Sequence, residues 1–515
     1  MSEISIREAL LRGVNAHKAG KLREADKYYT AILAISPDHV DANHNLGLIA
    51  SSLGKFRASL PYLEKAVKLQ PMNPQFWESY VKSLIGLEKY DIAYACITKA
   101  QTLHPGVKTL GNLLDLIKTK SSNHDIKNAI NDLVKIYYEG KFEVVLDDVK
   151  SLLIAQPRSV VLLNIMGSSL SALKLFDKAI EVYERALVIQ PNNPDVNNNF
   201  GNALRRSGDL LGSLDKFDVA LNNREKFFDA HLNKGHALFD LAKLDSAIAS
   251  YRMALKINPH SEEALLRIGN AYKKQGKIEA ASKSYQSLLS MNPKHDVANH
   301  LYSSLNGQHT KKAPRKYVEA LFDHYAKKFE QSLVDDLNYK IPEKLINLME
   351  RVGLTKQKYS VLDIGCGTGL FGSKIKSYCK VLHGVDLSIE MLDVARQKGI
   401  YDNLEHNDIL EYLEKIPRTY DFFVATDVFI YLGDLDKIFN LIKNNNPKGG
   451  HLLFSTEHLE TGDYKLETSA RYSHSKTYIE KLCAKYNYQL KSFKLTDLRK
   501  ETREYIKGAL YILSF

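Results

Sequence analysis

The sequence predicts two folds in series: an all-α repeat solenoid, then an α/β domain on a mostly parallel, doubly wound sheet. Three observations carry this. A 34-residue period runs through the first three hundred positions. An apolar strand then runs into a glycine-rich turn and a helix, and strands alternate with helices from there on. The 515 residues also exceed what one hydrophobic core holds.

The first element is the repeat. Pro37, Pro71 and Pro105 are spaced by 34, as are Pro157 and Pro191, and Pro259 and Pro293 keep the same register. Reading back from these marks gives eight units: 6–39, 40–73, 74–107, 126–159, 160–193, 194–227, 228–261 and 262–295, with an insertion at 108–125. The eighth position holds Gly13, Gly47, Gly167, Gly201, Gly235 and Gly269, and the twenty-fourth holds Tyr29, Tyr183, Phe217, Tyr251 and Tyr285. A small residue lets two antiparallel helices approach, an aromatic fills the space beside it, and proline ends the second helix. The insertion is a candidate kink or break.

This pattern resembles the tetratricopeptide repeat family, which implies a superhelix whose concave groove binds a protein or peptide. Asparagine recurs on one face of the first helices, at Asn45, Asn199, Asn202, Asn233 and Asn270. Amides both donate and accept, so such a row can hold an extended peptide backbone. It is similar to the asparagine ladder of repeat-bearing O-linked N-acetylglucosamine transferases. The plainer reading is asparagine tolerated on a solvated face. A carboxylate clamp is set aside, because Asn198 and Glu263 stand where lysines would be needed.

The second element is the α/β region. Strands fit Tyr359–Ile364, Val381–Val385, Tyr420–Thr426, His451–Thr456, Tyr488–Leu495 and Leu510–Phe515. The first strand runs into Asp363-Ile364-Gly365-Cys366-Gly367-Thr368-Gly369, and the second ends at Asp386. A glycine turn lets backbone approach a ligand, and a terminal strand carboxylate suits ribose hydroxyls. The spacing D-x-G-x-G-x-G differs from the dinucleotide pattern and suits a ligand with a cationic amino-acid part.

VLDIGCGTGLFG, with GVDLSIEML, HNDILEYL and YDFFVATDVFIYLGDL, resembles the class I S-adenosylmethionine-dependent methyltransferases. FDHYAKKFEQSLVDDLNYKIPEKL and ARYSHS are similar to a bacterial subgroup carrying tetratricopeptide repeats on the same chain. The resemblance implies a Rossmann-like, seven-stranded, mostly parallel sheet and S-adenosyl-L-methionine as cofactor. It puts Asp363, Gly365, Gly367 and Gly369 at the methionine end, Asp386 on ribose, and Leu387 on adenine. Asp408 would accept the adenine amino group, Ile409 would cover the ring, and Asp427 would stand where cofactor and acceptor meet. Helix capping is the alternative for Asp408 and Asp427. His474, Tyr472 and Tyr325 (with His324 beside it) are candidates for acceptor chemistry, Tyr325 also as a lid, and His474 is equally readable as structural. Cys366 has no partner base, and no cluster has metal-ligand spacing.

Composition bounds the rest. Apolar residues at 44% and charged residues at 25% exclude a wholly disordered chain. Four cysteines exclude a disulfide scaffold. No apolar run approaches the ~18–20 residues of a membrane helix, and the N-terminus lacks a signal-peptide core, so a cytoplasmic protein without a membrane partner is expected. The net charge of +11 is spread thinly, +7 over residues 1–300 and +4 over 301–515, without the stripe that nucleic acid requires. Lys311, Lys312, Arg315 and Lys316 read as a solvated linker. The expected organisation is a solenoid at 1–305, a linker at 306–320 and a methyltransferase at 321–515. The methyl acceptor is open between protein and small molecule, with an interaction scaffold as the rival reading.

Overall fold

Each 34-residue period folds as two antiparallel helices, beginning with Ile6–Lys18 and Leu22–Ile35, then Val40–Ser52 and Phe56–Leu69. The helices close on the positions the period marks. A Cβ on Gly13 would lie 2.8 Å from the Tyr29 ring, and one on Gly167 would lie 2.5 Å from Tyr183. Gly235 and Gly269 meet Tyr251 and Tyr285 in the same way. These tyrosines are buried at every such site.

A second device was not legible as a pattern. The fourth position of four repeats donates a side-chain N–H to the carbonyl six residues earlier. Asn43 reaches Pro37, Trp77 reaches Pro71, Asn197 reaches Pro191 and His231 reaches Glu225, at 2.8–3.0 Å. Residue types as different as Asn, Trp and His serve, so no single letter recurs. Each bond gives a carbonyl of the preceding turn a side-chain partner.

The computed structural model describes residues 5–325, 330, 339–415, 419–501 and 504–515. The chain forms two compact units, one ending at Ser207 and one starting at Gly208. In the first, the insertion does not break the array: it is one helix, Lys108–Tyr138, continuous with the first helix of the fourth repeat. In the second, repeat helices continue to Asp296–Leu305 and pack with the α/β region in one unit. No helix among the described residues is long and apolar enough to cross a membrane.

The sheet contains β1 (Tyr359–Ile364), β2 (Cys379–Asp386), β3 (Asn403–His406), β4 (Phe422–Ala425), β5 (His451–Leu459), β6 (Tyr464–Leu466), β7 (Tyr472–Ser475), β8 (Gln489–Glu501) and β9 (Glu504–Ser514). Its order is β3-β2-β1-β4-β5, parallel throughout, with β9 antiparallel to β5 and β8 antiparallel to β9. Those seven strands match the expected count. Two more, the β6–β7 hairpin, extend from the C-terminal end of β5. The hairpin and the four-residue β3 were missed because short strands offer too few alternating positions to read. One sheet face packs on helices Asp436–Asn445 and Lys476–Tyr486, the other on Ile341–Arg351 and Leu370–Ile375. The order reverses between β1 and β4, which opens a crevice at the carboxyl ends of those strands.

Candidate active site

That crevice holds a cavity of about 410 Å³. From the β1–β3 side it is lined by Gly365, Gly367, Asp386, Leu387, Asp408 and Ile409. From the β4–β5 side come Asp427, Val428, Tyr431, Arg471 and Arg499, and helix Arg315–Tyr325 contributes Val318, Leu321 and Phe322.

The glycine turn is shaped by backbone conformation. Gly365 and Gly367 have φ of 64° and 53°, which side chains disfavour. They differ in surroundings: a Cβ on Gly365 would collide with Val428, whereas one on Gly367 meets nothing within 4 Å. Gly365→Ala is therefore expected to destabilise the domain, by thermal melting. Gly367→Ala is expected to melt closer to wild type while losing ligand affinity by calorimetry. Equal effects on both properties would contradict this division.

Asp386 ends β2 with its carboxylate almost fully buried. One oxygen accepts from Gly367 N–H at 2.8 Å and the other from Ser388 N–H at 2.9 Å. Burial raises its pKa, opposed by these backbone bonds. Asp408 caps helix Ile409–Glu414 by accepting from Leu410 and Glu411 N–H, so the capping role is present and the residue also lines the cavity.

Asp427 lies two residues past β4 at φ 55°. Ser455 donates to one of its oxygens at 3.0 Å and Arg499 to the other at 3.2 Å. Arg499 also donates to Glu457 at 2.5 Å, and Arg471 stands 3.8 Å from that same carboxylate. Burial alone would lower the Arg499 pKa, but Asp427 and Glu457 outweigh it and leave it raised. Burial raises the Glu457 pKa against the pull of both arginines.

Several expected residues stand elsewhere. Asp363 is fully buried but does not line the cavity: Tyr401 donates to it at 2.6 Å, and burial pushes its pKa up to about 7. Gly369 packs on the Tyr401 ring, again off the cavity. The turn's two ends thus brace the sheet, and its middle faces the void. His474 and Tyr472, expected beside the acceptor, are buried in β7 away from the lining. His474 Nε2 donates to Gly433 O at 3.0 Å, and Tyr472 Oη shares a 2.5 Å hydrogen bond with Thr310. Alternation in so short a strand could not tell which face goes inward. The Tyr325 side chain, with that of His324, lies outside the described residues. Cys366 lines the cavity, but burial pushes its thiol pKa well up, so it is a poor nucleophile.

Burial lowers the His474 pKa to about 4. The folded domain therefore refuses a proton that the unfolded chain takes up below about pH 6.5. The neutral histidine's contribution is intact above that pH and is lost as pH falls towards 4. Urea unfolding of His474→Gln should show up to about 3 kcal/mol less acid destabilisation than wild type. Parallel losses in both proteins would contradict it.

The asparagines are half-buried on first helices, Asn45, Asn199 and Asn202 in the first unit and Asn233 and Asn270 in the second. Asn199 donates to Asn164 at 3.1 Å across neighbouring repeats, and Asn270 accepts from Tyr285 at 2.8 Å.

Comparison with known proteins fits this architecture. A family profile described as "Methyltransferase domain" matches residues 355–505. Profiles described as "TPR repeat" and "Tetratricopeptide repeat" match 170–208 and 235–276, and 40–73 and 262–295. The last two spans coincide with the second and eighth units of the period.

The chain is a tetratricopeptide-repeat protein fused to a methyltransferase domain.

Its relatives divide along the same line. The peroxisomal targeting signal receptor of Saccharomyces cerevisiae is 29% identical over 35% of this chain and 34% of that protein. Malonyl-[acyl-carrier protein] O-methyltransferase 1 of Ilyobacter polytropus is 29% identical over 23% of this chain and 49% of its own length. The chain thus spans a third to a half of these relatives. The crystal structure of magnesium protoporphyrin IX methyltransferase from Synechocystis PCC 6803 with bound SAH is 14% identical, at a TM-score of 0.30, over 39% of this chain and 98% of that one.

The repeat–methyltransferase fusion contains functional-site neighbours that no motif announced. Arg499, Glu457 and Arg471 come from β8, β5 and the turn before β7. Arg499 stands among other charged residues of β8 and Glu457 follows an apolar run in β5, so neither letter marked a buried partner.

Proposed function

We propose that the methyltransferase domain uses S-adenosyl-L-methionine and that its repeats recruit a protein partner or substrate. The observation carrying the cofactor reading is the cradle at Gly367. An open space without a Cβ faces Asp386, a buried carboxylate with remaining acceptor capacity, and apolar Leu387 and Ile409 stand beside it. A diol and a flat aromatic ring fit an accepting carboxylate between apolar walls.

Bound there, the cofactor would supply an electrophilic methyl on sulfonium. The chain's own part is placement and dryness. Asp386 would accept from ribose hydroxyls, Leu387 and Ile409 would cover the adenine, and Asp408 would face its amino group. Phe322, Leu321 and Val318 would exclude water from the reacting end. Asp427 and the arginines would border the acceptor. No general base is assigned to His474 or Tyr472, which lie outside the lining.

The working domains are a solenoid at 1–305 and the enzyme at 321–515, and the stretch 306–320, expected as a solvated linker, is packed on the enzyme through the Lys312–Leu432 bridge and buried Ala313. The repeat helix Asp296–Leu305 supports a functional connection: His300 Nε2 donates to Ala470 O at 3.0 Å, next to Arg471 on the cavity wall. Replacing Asn199 and Asn202 by alanine should weaken partner capture in crosslinking and leave S-adenosylhomocysteine affinity unchanged. Undiminished capture would retire the groove's role.

The test of activity is transfer of a radiolabelled methyl group from S-adenosylmethionine into an extract of the source cells, with Asp386→Ala as control. Label incorporation by wild type alone supports the reading, and none by either contradicts it.

A further inference from the structure

We propose that His300, on the helix Asp296–Leu305 that ends the repeats, is a positioning residue for the acceptor side of the cavity. It fixes the peptide unit that carries Arg471, so the last repeat helices form part of the acceptor wall. This rests on the methyltransferase reading above and deepens it.

The segment Glu467–Arg471 turns between β6 and β7. Glu467 N–H donates to Arg471 O at 2.8 Å, and Ala470 N–H donates to Glu467 O at 2.9 Å. Ala470 stands at φ 69°, a left-handed conformation that a Cβ disfavours. What holds it there comes from the repeats. Ala470 is fully buried in one apolar cluster with Ala281, Tyr285 and Leu301 of the last repeat helices. Its carbonyl accepts from His300 Nε2 at 3.0 Å. At the other end of the same peptide unit, Arg471 N–H donates to Ser469 Oγ at 3.3 Å. A peptide unit is planar, so ties at both ends fix the direction in which the Arg471 side chain leaves the turn. Arg471 then lines the cavity, 3.8 Å from Glu457.

The hydrogens on this path have one arrangement. A carbonyl only accepts, so His300 carries its hydrogen on Nε2. Burial lowers the His300 pKa and keeps the ring neutral, which leaves Nδ1 to accept from Thr310 Oγ1 at 3.3 Å. Thr310 has then given its single hydrogen and accepts from Tyr472. The bonds run one way, from β7 through Thr310 and His300 to the turn. An apolar side chain at this place would supply the packing but no donor for Ala470.

The experiment compares His300→Gln with His300→Asn in the full-length chain. A glutamine amide reaches the place of Nε2 and can still donate to Ala470, whereas an asparagine amide reaches only the place of Nδ1. Transfer of a radiolabelled methyl group is measured against increasing amounts of an extract of the source cells. The asparagine variant should need at least about tenfold more extract for half-maximal transfer, with S-adenosylhomocysteine affinity unchanged. The glutamine variant should stay within about twofold of wild type. Hydrogen exchange over Glu467–Tyr472 gives a reading that needs no acceptor, and it should quicken in the asparagine variant alone. Ser469→Ala loosens the same peptide unit without touching the repeats. It should move both readings in the same direction, which keeps the test intact if the asparagine variant does not fold. Equal behaviour of the two His300 variants overturns the proposal. A matching loss of S-adenosylhomocysteine affinity also overturns it, because the histidine would then support the whole domain rather than the acceptor side. Failure of wild type to bind S-adenosylhomocysteine would fall on the cofactor reading, and the exchange comparison would still decide this one.

Discussion

Replacing Arg499 by methionine is expected to destabilise the α/β domain by about 3–5 kcal/mol, a large share of a typical domain's stability. Arg499 is the cation between Asp427 and Glu457, and all three are largely buried. Removing it leaves Asp427 without its arginine and Glu457 with only Arg471, at 3.8 Å. Each must then either take up a proton or drag water into the cavity wall. The effect belongs to the broken network rather than to lost side-chain packing, and a second variant separates the two. Adding Glu457→Gln to Arg499→Met removes one stranded charge and should recover a large part of the stability in urea unfolding. A double variant as unstable as the single one, with no coupling, would contradict this origin.

The second large effect is expected at Asp386. Asp386→Ala should weaken S-adenosylhomocysteine binding by about a hundredfold or more, from the loss of charge-assisted bonds to ribose hydroxyls of about 1.5–3 kcal/mol each. The same carboxylate orders Gly367 and Ser388 N–H, so the alanine variant loses both ligand contacts and the shape of the turn. Asp386→Asn keeps the size and one acceptor oxygen, and should fall between the two. Equal binding by wild type and alanine variant would mean that the ribose does not lie at the end of β2.

Most of the fold was legible because its signals are local and repeated. The period of 34 returned the helix pairs, and the Gly–Tyr contacts fall where the spacing put them, as at Gly167 and Tyr183. The strand–glycine–helix turn and Asp386 belong to one continuous stretch, so local reading could find them. What was not legible depends on pairing over distance. Arg499 reaches Asp427 across 72 residues and Glu457 across 42. Nothing in either segment names the other. His474 lies off the cavity lining for a related reason: all four residues of β7 are buried, and the hairpin with β6 that covers it was not foreseen. The insertion at 108–125 carries no proline, and despite the boundary-type residues Ser121, Ser122, Asn123 and Asp125 it continues into the next repeat as one helix.

The central proposal is that the crevice between β1 and β4 holds S-adenosylmethionine. The most direct measurement is a calorimetric titration of the full-length chain with S-adenosylhomocysteine, which needs no knowledge of the acceptor. Saturable binding at one site per chain, lost in Asp386→Ala while the variant still melts cooperatively, is the expected result. A folded wild-type chain that binds no S-adenosylhomocysteine would contradict it.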